Sequence, residues 1–268
     1  MPKTNFTPLK HGFHFGNNFV NKIISTSFGK IESRGRCGGM AYAALDYFFS
    51  GIPVPSHESK DFPNGMYPPD GSLLSDYIYE RTINSLFTLY SFKFFDWTVQ
   101  KDNEKSMRKS VGYKTEIEEF PKLKKSIDMG NPLVIGLIGA RKATDITKNH
   151  QVVAYGYESD SDNIVVYIYD SNFPDKEVTL ESSCYDCNFK SSTGQEWRGF
   201  FVQEYHAKKP KYIEIEAKTT KEETLVKHLV KNIGQFPSNV KYLDIPEQIK
   251  TNKNTIHPGE TIELISMV

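Results

Sequence analysis

HQVVAYGYESDSDNIVVYIYD, residues 150–170, decides the fold. Two β-branched and aromatic runs, 150–157 and 163–170, flank the polar turn ESDSDN (158–163). Strands joined by so short a turn pair antiparallel. Pairing Tyr157 with Asn163 sets His150, the first residue of one strand, opposite Asp170, the last of the other. Outward from this hairpin, PLVIGLIG (132–139), EVTL (177–180) and RGFFVQEY (198–205) read as further strands. The chain before them is helical in texture. Over 37–50, Met40, Ala44, Leu45 and Phe48 recur at helical spacing, and Gly51 and Pro53 stop the helix. The Pro- and Gly-rich stretch 52–71 is a loop. A second helix starts at Ser72, and a third near Pro121 sets Leu123 and Ile127 one turn apart and ends at Gly130. Residues 1–36 carry no clear period. Helices first and an antiparallel sheet after them make an α+β chain, since a βαβ fold would alternate the two.

The totals fit a soluble protein with a sizeable core. The chain has 268 residues, 38% hydrophobic and 25% charged, enough for one large domain or a medium and a small one. Lys and Arg together number 33, as do Asp and Glu. A balanced charge argues against a nucleic-acid partner. Three cysteines make no disulfide framework. Cys184 and Cys187 form C-x-x-C, but no second pair completes a metal site, so neither a metal nor a cofactor is expected. The longest apolar run, 132–140, is too short to span a membrane, and the first twenty residues lack a signal-like apolar stretch. These features predict an intracellular chain, or one exported without an N-terminal signal.

The chemistry-bearing candidates are Cys37, His150 and Asp170. In SRGRCGGMAYAALDYFF (33–49), Cys37 stands at the start of a helix. A helix N-terminus and a nearby imidazolium both lower a thiol's pKa, and the thiolate is the nucleophile. Arg34 and Arg36 flank it, and Gly38 and Gly39 leave room beside it for a substrate. Of the seven histidines, His150 alone opens an apolar strand. An imidazole needs an acceptor on its second nitrogen to fix its tautomer, and the hairpin puts Asp170 there; Asn172 is the less favoured orienter. Taken singly, each residue also has a structural reading: a buried thiol, a core histidine, a turn former. Their mutual spacing favours the catalytic one.

A cysteine opening an early helix, a histidine opening a later strand and an acid ending the next strand resemble the papain-like cysteine peptidases. The C39-type peptidases are the nearest flavour: HQVVAYGY followed by VVYIYDSNFP, preceded by LKKSIDMGNPLVIGL, resembles their histidine region. The resemblance covers about residues 12–205. It implies a papain-like fold over 1–209, a Cys37–His150–Asp170 triad, acyl-enzyme chemistry on a peptide or protein amide, and no cofactor. It also implies a glutamine six residues before the cysteine as oxyanion donor, where this chain has Ile31. Asn17, Asn18, Asn21 and Ser33 are the candidate replacements. Trp197 is a core residue or a wall of the cleft near the histidine.

The tail, 210–268, resembles a LysM module, with NKNTIHPGETIEL matching the module's end. That resemblance implies binding of N-acetylglucosamine polymers such as peptidoglycan, and with it a bacterial setting. Two alternatives stay open at this point. One is an inactive papain-like scaffold with a glycan-binding tail. The other is a deamidase, transglutaminase or acyltransferase using the same triad.

Overall fold

The computed structural model describes residues 2–26, 29–86, 92–100, 110–160, 163–183 and 188–210. The LysM-like reading of 210–268 and the C-x-x-C pair thus lie outside the described residues, save Pro210.

A short helix α1 (Pro8–His11) is followed by a two-stranded hairpin, β1 (Val20–Thr26) and β2 (Gly29–Arg34). Helix α2 (Cys37–Ser50) comes next, then α3 (Leu73–Leu86), α4 (Phe92–Val99), α5 (Val111–Lys114) and α6 (Phe120–Asp128), the last two joined by a π-helical turn, Thr115–Glu119. Strands β3 (Leu133–Ile138), β4 (His150–Ser159), β5 (Ile164–Tyr169), β6 (Val178–Ser182), β7 (Phe189–Ser191), β8 (Glu196–Trp197) and β9 (Gly199–Val202) form one antiparallel sheet. Its order is β8-β7-β6-β5-β4-β3-β9. The α+β reading holds. The hairpin at 20–34 and helix α4 are additions to it.

Helix α2 is more deeply placed than one apolar face implies. Every residue from Cys37 to Tyr47 is buried. A helix apolar on all sides belongs inside the protein, and AYAALDYFF has that composition. It packs between α3 and one face of the sheet, with Met40, Ala44, Val134, Val153, Tyr155, Tyr167 and Tyr169 in a single core. The other sheet face is covered by α6, whose Leu123 and Ile127 meet Ile135, Val152, Ala154 and Ile168. With both faces covered, β4 is buried from His150 through Tyr157. Gly51 ends α2 in the left-handed region at φ 62°, a conformation that carries no Cβ penalty in glycine.

The register of the central hairpin corrects the sequence reading. Tyr157 pairs with Val166 and the pairing continues to Ser159 and Ile164, so the strands run further and the loop is shorter than the reading assumed. Carried along unchanged, that register would set Asp170 opposite Val153, on the face His150 does not share. A one-residue bulge at Tyr155, between Ala154 and Gly156, intervenes. Beyond it Val153 pairs with Tyr169, which brings Asp170 opposite Val152 and onto the face of His150. A bulge inserts one residue in one strand and flips the facing of everything past it. The expected juxtaposition is therefore reached by a different register of the same parity.

Residue Asp46 ties the far end of α2 to the segment after β9. Asp46 is fully buried and pairs with buried Arg81 of α3, Nε to Oδ2 2.6 Å. The hydroxyls of Tyr77 (2.8 Å) and Tyr205 (2.7 Å) and the backbone N–H of Lys208 (2.8 Å) donate to the same carboxylate. Arg81 also donates to the carbonyl of His206 at 2.9 Å. Residues 205–208 are thereby fastened to the two helices.

Candidate active site

Three elements deliver one residue each. Cys37 is the first residue of α2, His150 the first of β4, and Asp170 follows the last of β5. All three are buried, at 7%, 6% and 2% exposure. His150 Nε2 and Asp170 Oδ1 are 2.7 Å apart. The ring's other nitrogen, Nδ1, is left free of Asp170, and the ring lines one pocket with the Cys37 thiol. Asp170 is held in turn by the backbone N–H of Asn172, 2.9 Å from the same oxygen. The Asn172 side-chain amide is 3.3 Å from Nε2, so Asp170 is the nearer orienter.

The electrostatics follow from this packing. Burial alone pushes the Cys37 thiol up. The charge of the adjacent His150 ring, the hydrogen bond with it, and the backbone N–H groups of Gln151 and Gly38 outweigh burial and hold the thiol below its usual range. Burial likewise disfavours a charged imidazole, but the Asp170 carboxylate and the Cys37 thiolate outweigh it, so His150 stays protonated well above the ordinary histidine range. Burial raises the Asp170 carboxyl, and the imidazolium more than offsets this and lowers it. Charge placed this way stabilises a thiolate–imidazolium pair.

A small pocket opens on the thiol, lined by Cys37, Leu86, Phe94, Ile146, Asn149, His150 and Gln151. Its walls are mainly apolar. Asn149 is itself fixed: its Oδ1 accepts from the N–H groups of Gly139 and Ala140, each at 3.0 Å, and its Nδ2 donates to Thr98 at 2.9 Å. Among the described residues, no group of three or more His, Cys, Asp or Glu is arranged to hold a metal. No helix among them is long and apolar enough to cross a membrane.

A family model, described as the Peptidase_C39 like family, matches residues 58–200, more than half of the chain. The chain belongs to this family. The match includes His150 and Asp170 and begins after Cys37. Comparison with curated proteins and with solved structures returns no match.

Several candidate residues of this C39-like chain sit otherwise than expected. Gly38 and Gly39 do not face a cleft. A Cβ on Gly38 would collide with the Gln151 carboxamide and the Ser85 hydroxyl, and one on Gly39 with the backbone carbonyl of Ile78 and the Thr82 hydroxyl. They are glycines because α3 and β4 press against the start of α2. Gln151, Ser85 and Gln203 fill that space with a buried network: Ser85 Oγ donates to Gln151 Oε1 at 3.2 Å, Gln151 Nε2 donates to Gln203 Oε1, and Gln203 Nε2 donates to the Ser85 carbonyl at 2.6 Å. Arg36 does not aim its charge at the thiol. It folds back onto Asp70 at 2.9 Å and onto the Ser75 carbonyl at 3.0 Å. Trp197 stacks on the His150 ring, centroids 6.0 Å apart and planes 15° apart. It covers the imidazole and is not among the pocket-lining residues.

The asparagine candidates also separate. Asn18 is exposed, with its side chain folded against Gly16. Asn21 and Ser33 pair across the β1–β2 hairpin, and their side chains lie outside the described residues. Asn17 is the one that meets the nucleophile's neighbour, accepting from the backbone N–H of Arg36 at 2.5 Å. The apolar wall of Leu86, Phe94 and Ile146 was missed in the sequence. Each is an ordinary apolar residue there, and only the tertiary fold assembles them.

Proposed function

We propose that this protein is a cysteine peptidase acting through Cys37, His150 and Asp170, with residues 1–209 as its catalytic unit. The observation that carries the reading is the juxtaposition: a thiol at the first residue of a helix and an imidazole line one pocket, and the ring's Nε2 is 2.7 Å from a buried carboxylate. Kinship with C39-type peptidases supports it at the family level.

The chemistry follows from these positions. His150 Nδ1 takes the proton of Cys37, and Asp170 holds the resulting imidazolium in place. The thiolate sulfur forms a bond to the amide carbonyl carbon, and the carbonyl π electrons move onto oxygen. The backbone N–H of Cys37, at the free end of α2, serves as one donor to that oxyanion. Collapse of the intermediate breaks the C–N bond as His150 returns its proton to the leaving amine, and a thioester remains. Water then gives a proton to His150 and attacks the thioester, releasing the acid and restoring the thiol. The side chains of Leu86, Phe94 and Ile146 beside the thiol favour an apolar residue next to the scissile bond.

Incubation with a proteome-derived peptide library, read by mass spectrometry, tests the activity. The expected result is a set of new peptide termini produced by the wild-type protein and none by Cys37→Ser. Cleavage that persists in Cys37→Ser contradicts the assignment. Conversion of Gln or Asn side chains without new termini would replace peptidase by deamidase on the same residues.

A further inference from the structure

We propose that Asn17 is a positioning residue that couples the nucleophile's helix to the acid's strand; this rests on the peptidase reading above. The His150–Asp170 half of the site is fixed within one sheet. Cys37 belongs to another layer, and the residue before it, Arg36, provides no side-chain cap for α2. Asn17 supplies the missing link. Its side-chain Oδ1 accepts from the backbone N–H of Arg36 at 2.5 Å, and its own backbone N–H donates to the carbonyl of Ser171 at 3.0 Å. One residue thus bonds to the backbone immediately before the nucleophile and immediately after the acid.

With the His150–Asp170 bond, and with Cys37 and His150 lining one pocket, these contacts run round a ring: Asn17, Arg36, Cys37, His150, Asp170, Ser171 and back to Asn17. The local sequence is fitted to this ring. Gly35 sits at φ 85°, and a Cβ there would lie 2.7 Å from Asn17 Nδ2. Glycine is the residue that lets the turn take this φ and lets the carboxamide lie against it. The backbone N–H of Gly35 also donates to the Phe19 carbonyl at 2.7 Å, which carries the β1–β2 hairpin up to the start of α2. Loss of the Asn17 carboxamide leaves the Arg36 N–H without this acceptor and frees the first turn of α2 to shift. The separation between thiol and imidazole is then no longer set.

The test is a pH titration of the Cys37 thiolate by ultraviolet absorbance, read as the difference between each protein and its Cys37→Ser counterpart. Circular dichroism checks that each is folded. Asn17→Ala is expected to raise the midpoint by about one pH unit, close to a tenfold loss of thiolate at a pH below both midpoints. Gly35→Ala, which displaces the same carboxamide without changing residue 17, is expected to raise it likewise. Asn18→Ala, one residue along and exposed, is expected to leave it unchanged. A folded Asn17→Ala protein that keeps the wild-type midpoint overturns the proposal while the triad stands. A wild-type Cys37 that titrates as an ordinary thiol instead sinks the peptidase reading, and this proposal with it.

Discussion

Replacement of His150 by alanine is expected to slow hydrolysis of any peptide the wild-type protein cleaves by about 10²–10⁴-fold, the usual worth of a positioned general acid–base. The ring does three jobs here. It takes the thiol proton, its charge holds the thiolate, and it returns a proton to the leaving amine. No other imidazole takes its place in the pocket lining. Asp170→Asn is expected to be milder and to change the pH profile. The thiolate–imidazolium pair exists between the lowered pKa of Cys37 and the raised pKa of His150. Asp170 is the largest influence raising His150. Without that carboxylate the imidazolium loses its proton at lower pH, and the active window closes from its alkaline side. Steady-state rates against pH for the three proteins check both statements. A His150→Ala protein within tenfold of wild type would contradict the first.

The second large effect is on stability. Asp46→Ala is expected to cost about 3–5 kcal/mol, the range for breaking a buried ion pair by removing one partner. The substitution leaves the Arg81 guanidinium buried without its carboxylate, and it strips an acceptor from Tyr77, Tyr205 and the Lys208 N–H together. At about 2–4 °C per kcal/mol for a chain of this size, the melting temperature falls by about 10 °C in thermal unfolding followed by circular dichroism. A fall under about 2 °C would mean that water or rearranged side chains replace the lost carboxylate. The arrangement also binds residues 205–208 to the helix whose first residue is Cys37, so the same variant is expected to loosen that segment to proteolysis.

The architecture was legible where the sequence signal was local. The strands around the 158–163 turn, the helix opening at Cys37 and the order of helices before sheet all follow from runs of apolar or β-branched residues. The β1–β2 hairpin was not, because NKIIST and GKIESR mix polar and apolar residues with no sustained period. Helix α4, in FKFFDWTV, is too short to declare itself, and β7 and β8 are shorter still. The candidate site was legible for a different reason. Cys37, His150 and Asp170 each end or begin an element, and a hairpin makes the second and third predict one another. What the sequence hid was contact between elements. Two glycines beside a cysteine read as open space, but α3 and β4 occupy it. The bulge at Tyr155 has no glycine or proline of its own to announce it, though Gly156 follows. Asn17 was one of four candidates on the same footing until its bonds to residues 36 and 171 set it apart.

The most direct measurement is the rate of Cys37 alkylation by iodoacetamide against pH, by peptide mass spectrometry, in the wild-type protein and in His150→Ala. Cys184 and Cys187 of the same chain serve as references. The account predicts that wild-type Cys37 reacts at a pH well below that of an ordinary thiol, about 8.5, and that His150→Ala moves its profile to or above that value, since burial is then opposed only by the backbone N–H groups of Gln151 and Gly38. A wild-type Cys37 that follows the ordinary thiol profile, or one whose profile is indifferent to the loss of His150, would contradict it.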